Sequence, residues 1–169
     1  MKNWQKIIII IIIVAAAASC IYGYLAFNDK NASCDDFNIT MPQDYSVLST
    51  TDHAISIEDN HYTDSIFKIQ KLYDKNVSYI KNGTVGEFTN DTTLLSSDTI
   101  NMTDDNFTNF TVQKTFQASN DEYKLYAEFE KNDTKYSITR TYDTEKAFND
   151  SADKDLGKLI EIADSLTKN

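Results

Sequence analysis

EYKLYAEFEKNDTKYSITRTY, Glu122 to Tyr142, alternates by side through two runs joined by a polar tip. Tyr123, Leu125, Ala127 and Phe129 fall on one side, and Lys124, Tyr126, Glu128 and Glu130 on the other. Beyond Lys131-Asn132-Asp133-Thr134, the residues Tyr136, Ile138, Arg140 and Tyr142 alternate with Lys135, Ser137, Thr139 and Thr141. A period of two marks strands whose faces meet different surroundings. Just upstream, Phe110, Val112 and Phe116 alternate with Thr111, Gln113 and Thr115. Three strands in succession make an antiparallel meander with one polar face, and its apolar face needs a cover.

The chain closes on a segment that can supply that cover. In ADKDLGKLIEIADSLTKN, from Ala152, the residues Leu156, Leu159, Ile160, Ala163 and Leu166 share one stripe at helical spacing. Asp153 and Asp155 are placed in the first turn and Lys168 at the end, in the sense the helix dipole favours. Upstream, FNITMP puts Phe37, Ile39 and Met41 on one face of a strand ended by Pro42, the only proline. YSVLST from Tyr45 and HAISIED from His53 read as a hairpin, and IFKIQKL from Ile66 as a further strand. Lys75 to Asn106 reads as irregular loops with one or two short strands. The expected fold is α+β: an antiparallel sheet of about five to seven strands with a C-terminal helix packed on it.

Before this domain lies IIIIIIIVAAAASCIYGYLAF, Ile7 to Phe27, preceded by Lys2 and Lys6 as the only charges. At 1.5 Å per residue it is about 31 Å long, enough to span a hydrocarbon core as a transmembrane helix. Trp4, Tyr22 and Tyr24 sit where interfacial aromatics belong, and the two lysines orient the N-terminus to the cytoplasm. Two other readings keep this topology and change the anchor. Ala15 to Ala18 before Ser19 has the form of a signal-peptide cleavage site, and Ala17-Ala18-Ser19-Cys20 that of a lipobox with Cys20 as lipid acceptor. The apolar IYGYLAF that follows favours the uncleaved anchor. The chain then divides into a membrane segment (1–27), a polar tether (28–36) and an extracytoplasmic domain (37–169).

Ten of the 15 asparagines stand in Asn-x-Ser/Thr sequons: Asn31, Asn38, Asn76, Asn82, Asn90, Asn101, Asn106, Asn109, Asn132 and Asn149. Chance pairing with the 31 Ser and Thr residues would give roughly three. All ten follow the apolar segment, so the outward part is expected to be N-glycosylated. Asn38, Asn82 and Asn132 are the best placed, on an outward strand face or in turns, and Asn106 and Asn109 are too close to be modified together.

Lys2 and Lys6 account for two of the 16 Lys/Arg, which leaves 14 against all 26 Asp/Glu and a net charge near −12 outside. Nucleic acid and anionic lipid headgroups are poor partners for such a surface. Cys34, just past the span, has no intrachain partner beyond Cys20 and is the candidate for a disulfide-linked dimer.

FNITMPQDYSV and LIEIADSLTK resemble the two ends of small extracytoplasmic domains of the PsbP/Mog1/DcrB-like type. In this group an initial strand leads through a proline into the sheet and a last helix finishes in a short Ser-Leu motif. Gln43-Asp44 stand where a glycine is common in that group. The resemblance implies a fold and an envelope setting, and no catalytic residue, because the group shares none.

Chemistry is sparse. His53 and His61 are eight apart with no nearby cysteine, and the run Asn149 to Asp155 lacks the glycine and glutamate of a calcium loop and reads as helix capping. Asp35-Asp36 and Asp104-Asp105 read as tether and loop charges. No nucleophile elbow, phosphate loop or Cys-x-x-Cys occurs. The sequence therefore assigns no catalytic, cofactor-binding or metal-binding residue and no cofactor. Its expectation is a single-pass cell-membrane glycoprotein with a non-enzymatic binding or structural role toward an envelope protein or small ligand. The alternatives are a metal-assisted hydrolase or a lipoprotein held through Cys20.

Overall fold

The computed structural model describes residues 30–73, 91–102 and 106–169. Ile7 to Phe27 lies outside them, and no helix among the described residues is long and apolar enough to cross a membrane. The chain forms β1 (Asn31–Ser33), β2 (Phe37–Thr40), β3 (Tyr45–Thr51), β4 (Ala54–Asp59), β5 (Tyr62–Leu72), β6 (Thr92–Thr99), β7 (Phe107–Gln117), β8 (Glu122–Lys131), β9 (Thr134–Tyr142), α1 (Glu145–Ser165) and β10 (Thr167–Lys168). Seven strands make an antiparallel sheet in the order β3-β4-β5-β9-β8-β7-β6, and β1-β2-β10 make a second, small sheet. The fold is α+β, with the closing helix packed on β8, β9 and β2.

The meander falls where the alternation puts it. Lys131 pairs with Thr134 across Asn132-Asp133, whose φ angles of 51° and 58° give the left-handed pair a two-residue hairpin turn requires. Asn and Asp tolerate that conformation best after glycine. Ile138, Leu125 and Ala127 are fully buried on the helix side, along with Ile55, Ile57, Phe67 and Ile69 from β4 and β5. Phe110 and Phe129 stack at 4.8 Å, and Phe37 of the small sheet meets the Tyr136 ring edge-on at 5.7 Å. The shift between Thr108 and Thr111, with Asn109 left-handed at φ 54°, is a bulge that lets Phe110 turn inward.

Both edge strands carry a register shift at an exposed leucine, Leu48 in β3 and Leu95 in β6. Such irregularities keep an open edge from pairing with another chain. In the stretch expected to hold irregular loops with one or two short strands, β6 is an eight-residue strand.

Two expectations are corrected. The helix begins at Glu145, not near Ala152, and Thr144 caps it by accepting a hydrogen bond from the Ala147 amide at 3.1 Å. Asp153 and Asp155 thus lie in mid-helix, and the run from Asn149 is helix rather than its cap. Asn149, Asp150 and Ser151 are weak helix formers, which hides this turn from a propensity reading. The buried stripe is also rotated: Phe148, Ala152, Asp155, Leu159, Ile162 and Ala163 face the sheet, whereas Leu156 and Ile160 are only partly buried.

The second correction concerns 28–36, read as tether. Asn31–Ser33 is strand β1, pairing with β2, and Ala32 and Cys34 are buried. Three residues with a single small apolar side chain give no periodicity to read.

At its far end the helix is closed by a lysine. The Lys131 ammonium, on a nearly buried side chain, donates to the Ala163 carbonyl at 3.1 Å and the Asp164 carbonyl at 2.6 Å. It serves the Asp164 carbonyl together with the Ala163 carbonyl, which also accepts from the Leu166 amide at 3.3 Å, and it places positive charge at the negative end of the dipole. Lys131→Met keeps the stem and removes the donors, so chemical denaturation is expected to show a loss of about 1.5 to 3 kcal/mol.

Candidate functional site

The most concentrated polar chemistry gathers on Asp36, in the turn between β1 and β2. Lys71, at the end of β5, donates to its Oδ1 at 2.6 Å. The Tyr73 hydroxyl donates to its Oδ2 at 2.6 Å, and His53 Nδ1, in the β3–β4 turn, lies 2.5 Å from the same oxygen. A carboxylate oxygen carries no proton, so the hydrogen of that contact sits on Nδ1, on a half-exposed ring. Tyr73 and His53 also meet edge-on, with ring centroids 4.8 Å apart.

Burial pushes the Asp36 carboxyl up, but the hydrogen bonds from Lys71, Tyr73 and His53 outweigh it and hold the group well below the usual carboxylate range. The hydrogen bond to Asp36 pushes the Tyr73 phenol up to about 12. A depressed acid contributes stability above its unfolded pKa and loses it as pH falls toward the folded one. The difference in unfolding free energy between the protein and Asp36→Asn is therefore expected to be constant from neutrality to about pH 4 and to shrink below it. Urea titrations across that range check this.

An aspartate holding Nδ1 of a half-exposed histidine is half of a general-base arrangement. Among the described residues His53 contacts Asp36 and Tyr73, whose hydroxyl lies 2.7 Å from Nδ1 and donates to Asp36, and no other hydroxyl or thiol is held against the ring. The cluster acts as a charge-assisted clamp between the two sheets. His61 stands apart, on the exposed side of Asp44 at 3.8 Å. No group of three His, Cys, Asp or Glu side chains among the described residues could hold a metal.

A second polar group is sealed under the helix. Asp155, 6% exposed, accepts from the Tyr142 hydroxyl at 2.8 Å, and Arg140 Nε is 3.5 Å from the same oxygen. The guanidinium lies over the Tyr142 ring at 4.5 Å. Burial and then the charge of Asp155 raise the Tyr142 phenol far above its ordinary value. Buried and internally paired, this group ties α1 to β9.

Of the sequons, Asn31, Asn101, Asn106, Asn109, Asn132 and Asn149 are exposed. Asn38 is half-buried in the middle strand of the small sheet, and its amide donates to the Asn169 side chain. Asn132 and Asn106 are neighbours, the amide of the first donating to the carbonyl of the second at 3.2 Å. Asn76, Asn82 and Asn90 lie outside the described residues. Cys34 is a free thiol, 8% exposed, so it faces no second copy in this conformation.

Sequence reasoning named His53 and missed the clamp. Asp36 stood in the supposed tether, and its partners are 17, 35 and 37 residues away. Arg140 did leave a signal. It shares the inward side with Tyr136 and Ile138, and a cation on a buried face demands an acid across from it.

No family model and no curated protein matches the chain. Among solved structures it is similar to a protein of Bacteroides thetaiotaomicron VPI-5482, a crystal structure at 1.50 Å resolution. The identity is 10% and the TM-score 0.45, over 83% of this chain and 48% of the other. The chain thus spans about half the length of that structure, and a likeness this low carries no argument.

Proposed function

We propose that the protein is a single-pass, N-glycosylated cell-membrane protein whose α+β domain faces outward in a non-enzymatic binding or structural role. The observation that carries the reading is the surplus of sequons downstream of Ile7 to Phe27, joined to the exposure of six of the seven that lie in the described residues. The polar clusters support the non-enzymatic part, since their carboxylates are held by neighbouring side chains, Asp36 by Lys71 and Tyr73 and Asp155 by Tyr142. The PsbP/Mog1/DcrB-like resemblance belongs to the same proposal. Its two stretches lie side by side, β10 pairing with β2 and Ser165 Oγ accepting from the Thr40 amide at 3.0 Å.

Protein purified from its native host is expected to lose mass on treatment with an N-glycosidase, with Asn132 among the occupied sites. Asn38 is expected to be poorly occupied in folded protein, because a sugar there displaces the Asn169 contact. A native polypeptide of bare mass would remove the glycoprotein part of the proposal.

A further inference from the structure

Residues Asn31 to Asp36 are held differently from those that follow. Only Ala32 and Cys34 turn inward, both small, and burial stabilises roughly in proportion to apolar area. The ladder to β2 has three pairs, Asn31 with Thr40, Ala32 with Ile39 and Ser33 with Asn38, at the edge of the small sheet. From Phe37 onward the grip changes. Phe37 and Ile39 are essentially inaccessible, with Phe37 against Tyr136. Within the small sheet the Cys34 amide donates to the Phe37 carbonyl at 2.9 Å, and the tie from this segment to the large sheet is the Asp36 side chain, clamped by Lys71, Tyr73 and His53. Asn169 adds three contacts, its side-chain amide donating to the Cys34 carbonyl at 2.6 Å and the Asp35 carbonyl at 3.5 Å and its backbone amide to the Asp36 carbonyl at 3.2 Å.

We propose that Asn31 to Asp36 is a releasable strap, strand β1 when Asp36 is clamped and free tether when it is not, while β2, the large sheet and α1 stay folded. The two readings of this stretch, tether and strand, then describe two states of one segment. For its consequence the strap rests on the membrane-anchored reading: release adds about 20 Å of reach between the anchor and the domain, at ~3.3 Å per extended residue.

Cys34 reports the state, since its thiol is buried only while the strap is fastened. The test is the rate at which an uncharged maleimide labels Cys34 in the full chain in detergent micelles, with Cys20→Ser leaving one thiol. Asp36→Asn and Lys71→Met are each expected to raise the rate about tenfold to hundredfold, the range set by one lost charge-assisted hydrogen bond. One variant removes a negative charge near the thiol and the other a positive one, so a direct effect on thiolate formation would move the two rates in opposite directions. Leu159→Ala, which loosens the core under the helix, is expected to leave the rate near that of the parent, because the strap opens on its own.

Parent-like rates in both clamp variants would overturn the strap, as would labelling that follows global stability through Leu159→Ala and a urea series. The membrane reading fails separately. If alkaline carbonate strips the protein from native membranes while both clamp variants still label fast, the strap stands and its role as a tether falls.

Discussion

Asp155→Ala is expected to destabilise the domain by about 3 to 5 kcal/mol, as removal of one partner from a buried ion pair does. The substitution takes a carboxylate from beside the Arg140 guanidinium, on a 9% exposed side chain, and the acceptor from the Tyr142 hydroxyl. Its cost comes from removing a counter-charge beside a buried cation and an acceptor from a buried hydroxyl rather than from any large net gain of the pair. Replacing both members with apolar residues of similar volume, Arg140→Met with Asp155→Leu, is therefore expected to recover most of the loss. Asp153→Ala serves as the comparison, since that carboxylate is exposed and its contact with Lys114 at 2.8 Å is a surface pair. Urea unfolding of the four proteins measures this, and a single mutant as stable as the parent would show that Asp155 is not sealed under the helix.

Leu159→Ala is the second large effect, about 2 to 5 kcal/mol, because Leu159 is fully buried between α1 and the sheet. Against a total stability of about 5 to 15 kcal/mol this moves the melting temperature visibly. Ile160→Ala is expected to cost clearly less, since Ile160 is only partly buried, and Ile162→Ala about as much as Leu159→Ala. Glu161→Ala, on the exposed side, should stay within about 0.5 kcal/mol. The order of Ile160 and Ile162 is the informative part. The apolar residues from Leu156 onward fit a stripe centred on Leu159 and Ile160, whereas the full helix from Glu145, anchored by Phe148 and Ala152, turns Ile162 inward instead.

That difference shows how far the sequence is legible. Where side chains alternate without interruption, as from Tyr123 to Tyr142, strand, face and turn can all be read, because the period-two pattern is set by burial on one side. The first turns of α1 were not legible, since the signal for a helix start was sought beside apolar periodicity and Asn149-Asp150-Ser151 interrupts it. Thr144, the actual cap, lies upstream of that interruption. Strand β1 was not legible either, because it is secured through Asp36 and not through an apolar face. Polar clusters assembled from one turn, one strand end and one loop leave no spacing rule in the chain. Arg140 is the exception, recognisable because a cation interrupts an otherwise apolar side.

The acidic, sequon-rich character of the outward part bears on how these elements work together. A net charge near −12 and the register shifts in β3 and β6 both disfavour pairing of the large sheet's edges with a second copy.

The central claim is that the domain stands outside a membrane on the anchor formed by Ile7 to Phe27. It is tested most directly by adding protease to intact cells of the native host and following tags at both ends of the chain. The account predicts that the C-terminal tag is lost while a short N-terminal fragment stays with the membrane, protected. A full-length chain that survives until the cells are permeabilised would contradict it.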